Sequence, residues 1–107
     1  MLTLPNPIAA YFAAEKRGDA AALARCFVEA GVVRDEGGEF GGTAAIRQWN
    51  MEARRKYHHT VEPVDAFERD GEIVVIGKVS GDFPNSPVSL EHVLVLEGDM
   101  ILSLEIR

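Results

Sequence analysis

A carboxylate within an apolar run is the first candidate for chemistry in this sequence. Residues 32–37 read VVRDEG and place acidic side chains directly after two valines. Successive side chains of a strand alternate between its faces, so Val33 and Asp35 share one face. If Val33 packs into the core, Asp35 also points inward, where a carboxylate must be hydrogen-bonded, ion-paired or protonated. Asp35 is therefore the leading candidate for a catalytic group.

Other reactive residue types are present without the spacing that their chemistry needs. His58 and His59 are adjacent, so their side chains diverge on most backbones, and no Cys or carboxylate follows at ligand spacing. The single cysteine, Cys26, cannot form an internal disulfide and has the apolar neighbours of a buried residue. The glycines within residues 37–42 do not match a nucleotide-binding loop. The sequence predicts no metal site and no nucleotide cofactor.

Length and charge limit the classes of partner. The chain has 107 residues, enough for one domain with its own core, and a formal net charge of −6. Nucleic acid and anionic membrane are not expected as partners, because both require a basic surface. The N-terminal residues MLTLPNPIAAYF lack a charged leader, so neither a signal peptide nor a membrane span is predicted. A cytoplasmic protein is the default expectation.

Helical spacing predicts three helices in the first half of the chain. The first helix begins at Asn6-Pro7 and ends before Gly18, and its buried stripe is Ile8, Tyr11, Phe12 and Glu15. The second begins after Asp19 and ends at Gly31, and its buried stripe is Leu23, Cys26, Phe27 and Ala30. The third begins after Thr43, and its buried face is Ile46, Trp49, Ala53 and Tyr57.

The second half of the chain changes to the period of two that is typical of strands. Residues 60–68, 72–83, 88–97 and 100–106 read as strands, separated by turn residues such as Asp70-Gly71 and Gly98-Asp99. These patterns predict one α+β domain over residues 1–107, with three N-terminal helices packed on a strongly curved antiparallel sheet. The result is a cone with an internal small-molecule pocket. The aromatic residues expected to line it are Phe12, Phe27, Phe40, Trp49, Tyr57 and Phe83.

Five stretches of the sequence carry a family resemblance. They are YFAA (11–14), GD (18–19), LARCF (23–27), VVRDEG (32–37) and GTAAI (42–46). In this order they resemble the nuclear transport factor 2-like superfamily, which includes ketosteroid isomerases and SnoaL-like polyketide cyclases. The resemblance covers essentially the whole chain and implies the same cone-shaped fold.

The resemblance also implies roles for individual residues. Tyr11 matches the oxyanion tyrosine of ketosteroid isomerases, and Asp35 matches their carboxylate base. The third polar group corresponds to Glu91 or His92, and a one-residue change of register decides between them. Because the face that contains His92 is the more apolar, His92 is favoured as the inward residue and Glu91 as the outward one.

Two classes of function follow from this resemblance. The first is an isomerase or cyclase that acts without a cofactor on an apolar carbonyl compound. The second is a non-catalytic module that binds an apolar ligand or a partner chain in the same cone. Alternation in the last strands places either Val93 and Val95 or Leu94 and Leu96 on the face of the sheet that the helices do not cover. Because an apolar outer face usually marks an interface, we predict a homodimer through this face.

Overall fold

The computed structural model describes residues 2–107 as three helices packed against one six-stranded sheet. The helices are α1 (Asn6–Arg17), α2 (Ala20–Ala24) and α3 (Thr43–Tyr57). The strands are β1 (Phe27–Asp35), β2 (Gly38–Gly41), β3 (Thr60–Arg69), β4 (Glu72–Ser80), β5 (Val88–Glu97) and β6 (Met100–Ile106). In this part of the chain, no helix is long and apolar enough to cross a membrane.

The sheet has the strand order β2-β1-β6-β5-β4-β3, and the predicted α+β fold class is confirmed. Every neighbouring pair is antiparallel except β1 and β6, so the sheet is mixed rather than wholly antiparallel. The exception arises because β1 and β6 are separated by most of the chain and no tight turn joins them. The sheet does not close into a barrel, since β2 and β3 are its two edges.

Helix α1 follows its sequence-based prediction closely, in both its end and its buried stripe. Gly18 ends it in the left-handed conformation, with φ of 73°, and donates its N–H back to the last turn. Asn6 is the first helical residue rather than a side-chain cap, with Pro7 next to it. The predicted stripe is buried in full, and its last member, Glu15, is only 5% exposed. A carboxylate is therefore placed inside the domain by helical periodicity alone.

The second helix is shorter than predicted. It ends at Ala24, and the chain is already a strand from Phe27 onward. The reason is tertiary pairing, because Phe27 pairs with Ile101 of β6 and the strand bulges between Phe27 and Val32. Gly31 is thus a bulge residue and not a helix end, and a Cβ there would lie 2.9 Å from the Phe27 Cβ.

The inner face of the sheet and the helices enclose one core. Row by row across β4 and β5, Val75 pairs with His92 on the inner face, and Val74 pairs with Val93 on the outer face. Buried core residues come from all three helices and from the inner face; they include Ile8, Tyr11, Leu23, Ile46, Trp49, Val75, Leu94 and Leu104. The predicted strand at 72–83 ends at Ser80, and residues 81–87 instead form a loop against the end of α3.

Candidate functional site

A pocket of about 250 Å³ lies between α1, the end of α3 and the inner face of the sheet. Its polar lining residues are Tyr11, Glu15, Asp35, Glu36, Tyr57, His59 and His92. Its apolar lining residues are Ala53, Val61, Val79, Phe83, Val88, Leu90 and Ile106. The pocket therefore combines apolar walls with a small set of converging polar groups, as small-molecule sites usually do.

Asp35 reaches this pocket from the end of β1. Its carboxylate accepts a hydrogen bond from Trp49 Nε1 at 3.1 Å, and the ion pairs among residues 2–107 do not include it. The neighbouring Arg34 pairs with Glu39 instead, at 3.0 Å. Burial raises the pKa of Asp35, the Trp49 hydrogen bond opposes the rise, and the charge of Glu36 adds to it. Asp35 is a half-buried carboxylate without a cationic partner, which suits a general base.

Tyr11 contributes a hydroxyl from the buried face of α1. The residue is 1% exposed, and its ring packs edge to face against Phe12 and Phe27 with centroid distances of 5.0 and 6.1 Å. Burial, followed by the charges of Glu15 and Asp35, raises the pKa of Tyr11 well above its usual value. The hydroxyl therefore stays protonated and can donate a hydrogen bond.

Strand register decides between Glu91 and His92. His92 pairs with Val75 on the inner face and lines the pocket, whereas Glu91 pairs with Ile76 and binds Arg69 at 3.0 Å outside it. The catalytic role considered for Glu91 is thus not supported, because alternation along β5 turns it away from the pocket. Burial lowers the pKa of His92, so its ring is neutral near pH 7.

A buried ionic cluster on the other side of the pocket was not predicted. Glu15 Oε1 lies 3.2 Å from Arg54 Nη1 and 3.2 Å from His59 Nε2, and Glu15 Oε2 accepts a hydrogen bond from Asn50 at 3.2 Å. Arg54 also binds the Asn50 side chain and the Glu15 carbonyl. Burial raises the pKa of Glu15, but His59, Arg54 and Asn50 outweigh it and hold the pKa below its usual value. Glu15 is therefore ionised inside the domain.

The aromatic lining is smaller than predicted. Tyr57 and Phe83 line the pocket and pack edge to face at 6.0 Å, and the Tyr57 hydroxyl donates to Glu36 at 2.7 Å. The other four predicted aromatics are not among the lining residues: Phe12, Phe27, Phe40 and Trp49. They pack in the core or against it: Phe12 from α1, Trp49 from α3, Phe27 from β1 and Phe40 from β2.

Comparison with known proteins identifies the family. The model of the SnoaL-like domain matches residues 8–101, which is most of the chain. This chain belongs to the SnoaL-like domain family. A search of curated proteins found no significant match.

Solved structures agree with this assignment of the SnoaL-like domain. A Sinorhizobium meliloti protein provisionally assigned as a polyketide cyclase is 35% identical, with a TM-score of 0.92 over 97% of this chain and 95% of the other. A Catenulispora acidiphila protein with a ketosteroid isomerase-like fold, in complex with trimethylamine, is 20% identical, with a TM-score of 0.84 over 98% and 86%. TerC, co-crystallised with polyporic acid, is 14% identical, with a TM-score of 0.82 over 95% and 88%. The last two similarities show the fold alone.

Two pocket residues of this SnoaL-like domain, Glu15 and His59, are not predicted as site residues from the sequence, although the pattern around each gives an indication. Glu15 is the charged last member of an otherwise apolar helical stripe, a position where burial follows from the period. His59 directly precedes β3 and was considered only for metal binding. The two adjacent histidines do diverge, since His58 pairs with Asp82 at 2.9 Å on the surface while His59 contacts Glu15 inside.

Replacing Gly77 by Ala is expected to destabilise the domain by about 1–3 kcal/mol, because the added methyl overpacks the wall of the pocket. A Cβ at Gly77 would lie 2.7 Å from His92 Cε1 and 3.0 Å from Val61 Cγ1. The measurement is urea unfolding of both proteins, and Gly41→Ala is the matched control, since no described heavy atom lies within 4 Å of a Cβ there. Equal midpoints for Gly77→Ala and the wild type would contradict the assigned packing of His92.

Proposed function

We propose that this SnoaL-like domain is an enzyme that transfers a proton next to a carbonyl group of an apolar small molecule, with Asp35 as general base. The observation that carries the proposal is the state of Asp35, a half-buried pocket carboxylate oriented by Trp49 and not neutralised by any arginine. A carboxylate whose pKa is raised by burial is a stronger base when ionised than an exposed one. It is therefore suited to take a proton from the carbon next to a carbonyl.

Removal of that proton leaves an enolate, which needs hydrogen-bond donors at its oxygen. The protonated hydroxyl of Tyr11 is the first donor, because its raised pKa keeps the proton on the oxygen. His92 is a further polar group of the pocket, but its Nδ1 lies 3.3 Å from the Leu90 carbonyl, which can only accept, so a neutral ring keeps its one proton on Nδ1 and offers Nε2 as an acceptor. Ketosteroid isomerase, which shares this fold, illustrates the principle of a carboxylate base opposite neutral donors.

Charge and volume define the substrate class. Glu15, Asp35 and Glu36 all line the pocket, and only Glu15 is paired with an arginine. An anionic substrate would meet two uncompensated carboxylates in a partly desolvated space, so a neutral carbonyl compound is favoured. The apolar walls and a volume of about 250 Å³ fit a compound of one or two small rings. The description of the Sinorhizobium relative as a cyclase supports an aldol closure among the candidate reactions.

The test is to offer the wild-type protein two classes of neutral probe. β,γ-Unsaturated ketones report isomerisation by their ultraviolet absorbance, and 2,6-heptanedione and its phenyl homologues report ring closure by chromatography. Turnover of either class above the buffer rate is expected. Binding without turnover across both classes would contradict the enzymatic proposal and favour the non-catalytic ligand-binding alternative.

We also expect a homodimer through the outer face of the sheet. Phe67, 41% exposed, and Val64, 48% exposed, are large apolar residues that β3 presents to solvent, and the row of Phe67 continues through Val74 and Val93, which are already buried within one copy. A second copy of this face is the complementary surface, because the Arg69–Glu91 pair places both charges beside the apolar row on each copy. Light scattering at micromolar concentration should give a dimer mass for the wild type and a monomer mass for Phe67→Asp. A wild-type monomer would refute the interface.

A further inference from the structure

Three separate segments of the chain meet where the pocket borders solvent. The turn between β1 and β2 contributes Glu36 to the lining, the end of α3 contributes Tyr57, and the loop between β4 and β5 contributes Phe83. Glu36 is exposed and the other two are half-buried, whereas Tyr11 on the same lining is buried. A residue that lines a pocket and is also exposed must lie between the pocket and solvent. These segments therefore border the opening of the pocket.

The loop and the end of α3 are attached to each other by several contacts. The Asp82 N–H donates to the Tyr57 carbonyl at 2.7 Å, and the Asp82 carboxylate lies 2.9 Å from His58 Nδ1. A Cβ at Gly81 would lie 2.7 Å from the same Tyr57 carbonyl, so the two backbones are in close contact. The Phe83 ring also packs edge to face against the Tyr57 ring, with centroids 6.0 Å apart. The loop and the end of α3 thus form one packed unit.

The Glu36 side chain, by contrast, is joined to that unit by a single hydrogen bond. Among residues 2–107, its one hydrogen-bond partner is the Tyr57 hydroxyl, which donates to Glu36 Oε1 at 2.7 Å. Glu36 and Gly37 are the two central residues of the turn, and both have positive φ, 52° and 77°, as a two-residue hairpin turn requires. Because the paired strands on either side constrain the backbone of this turn, the bond can break by rotation of side chains alone.

The energy of this contact suits a reversible opening. A hydrogen bond between exposed groups adds little net stability, because water replaces each partner when the bond breaks. Opening also leaves the candidate base in place, since the Asp35 carboxylate is bound separately by Trp49 from the middle of α3. The contact can therefore open and close while the rest of the pocket keeps its shape.

We propose that the hydrogen bond between Tyr57 and Glu36 closes the pocket toward solvent, and that its breaking controls how fast small neutral molecules enter. When the bond breaks, the turn and the unit of α3 and the loop are no longer joined on this side, and the two side chains can move apart. The inference concerns access to the pocket and not the reaction in it. Its test therefore involves no turnover, and its outcome is independent of the proposed function.

The test measures how fast a thiol inside the pocket reacts with N-ethylmaleimide, a small neutral carbonyl compound. Val79 is half-buried on β4 and lines the pocket, and Val79→Cys changes the size of the side chain little. The native Cys26 is half-buried and is not among the lining residues, so its labelling in the same sample reports any general loosening of the domain. Mass spectrometry of the digested protein gives both rates.

Two substitutions in the Val79→Cys background remove the bond from either side. Tyr57→Phe removes the donor, and Glu36→Met removes the acceptor at a similar side-chain length. Each should raise labelling at position 79 about fivefold, the ratio that corresponds to the net energy of an ordinary hydrogen bond. The double variant should match either single variant, because both changes remove the same bond. Glu36→Gln is the matched control: its amide oxygen still accepts the bond, so labelling should stay within about twofold of the parent.

Four results would overturn the inference. The first is an unchanged rate in Tyr57→Phe, and the second is a double variant in which the two effects multiply, since multiplication indicates independent causes. The third is equal labelling of Glu36→Gln and Glu36→Met, which would assign the effect to the lost charge. The fourth is an equal acceleration at Cys26, which would indicate general loosening.

Discussion

Asp35→Asn is expected to lower kcat for proton transfer by about 100- to 10,000-fold, the range that a well-placed general base supplies. The amide keeps the shape of the side chain and an acceptor oxygen for the Trp49 N–H, so the pocket should stay intact. What it loses is the ability to take a proton. The measurement is kcat for deuterium exchange or ring closure, compared with the wild type at the same pH.

The matched control for this variant is Asp70→Asn in the turn between β3 and β4. Asp70 has φ of 53°, a conformation that asparagine adopts readily, and it lies outside the pocket. Its kcat should equal that of the wild type. If Asp35→Asn retained full activity while turnover was established, the base would have to be another group.

The raised pKa of Asp35 also gives a sign for the pH dependence. Activity requires the ionised form, so kcat should rise with pH through a midpoint above that of an ordinary carboxyl group. The contribution of Asp35 to folding stability changes in the opposite direction, because a raised pKa in the folded state means that folding favours the protonated carboxyl group. That stabilisation is fully present below the unfolded pKa of about 3.9 and is lost as pH rises through the folded pKa. Asp35→Asn should therefore unfold at a higher urea concentration than the wild type at pH 7, and the difference should vanish at low pH.

Glu15→Gln is expected to cost about 3 kcal/mol of folding stability at pH 7, because it breaks a buried ion pair while leaving the cation in place. The carboxylate side chain is 3% exposed and that of Arg54 is 25% exposed, so Arg54 would lose its charged partner in a largely desolvated position. Asn50 would also lose its bond to a charged acceptor. Urea unfolding of the two proteins measures the difference.

The pH dependence provides a separate check on this cluster. The folded pKa of Glu15 is lowered, so its stabilisation is present above the unfolded pKa of about 4.3 and is lost as pH falls through the folded value. The difference in free energy of unfolding between the wild type and Glu15→Gln should therefore shrink as the pH falls. Glu39→Gln, which removes a surface partner of Arg34, is the control and should change stability little. A gap that persisted unchanged at low pH would show that the loss is not due to the Glu15 charge.

Much of the fold was predictable from local patterns. The buried stripe of α1 and its end at Gly18, the buried Ile46 and Trp49 of α3 and the last two strands all follow from periodicity and turn residues, whereas Ala53 and Tyr57 of the predicted α3 face are only half-buried. The prediction of a long second helix was wrong because the apolar residues around Phe27 fit a helix or a strand equally well in isolation. Their pairing with β6, which is distant in sequence, selects the strand.

The site was predictable only in part, for the same reason. Alternation along β1 indicated an inward Asp35, and the apolar face of β5 favoured His92 over Glu91. The wall aromatics were not predictable, since the choice between core and pocket for Phe12 and Trp49 depends on how the helices are rotated on the sheet.

The amino-acid sequence by itself determined the buried stripe of α1 with Glu15 and the inward side of β1 with the half-buried Asp35, because burial there follows the period of a helix or a strand. Only the tertiary structure decided which buried polar groups meet. Asp35 comes from β1, His59 from the start of β3 and Glu15 from α1, and no local pattern reports the distances between elements so far apart in the chain. Long-range packing therefore leaves the Asp35 carboxylate without a cationic partner and places the Glu15 carboxylate against Arg54 and His59.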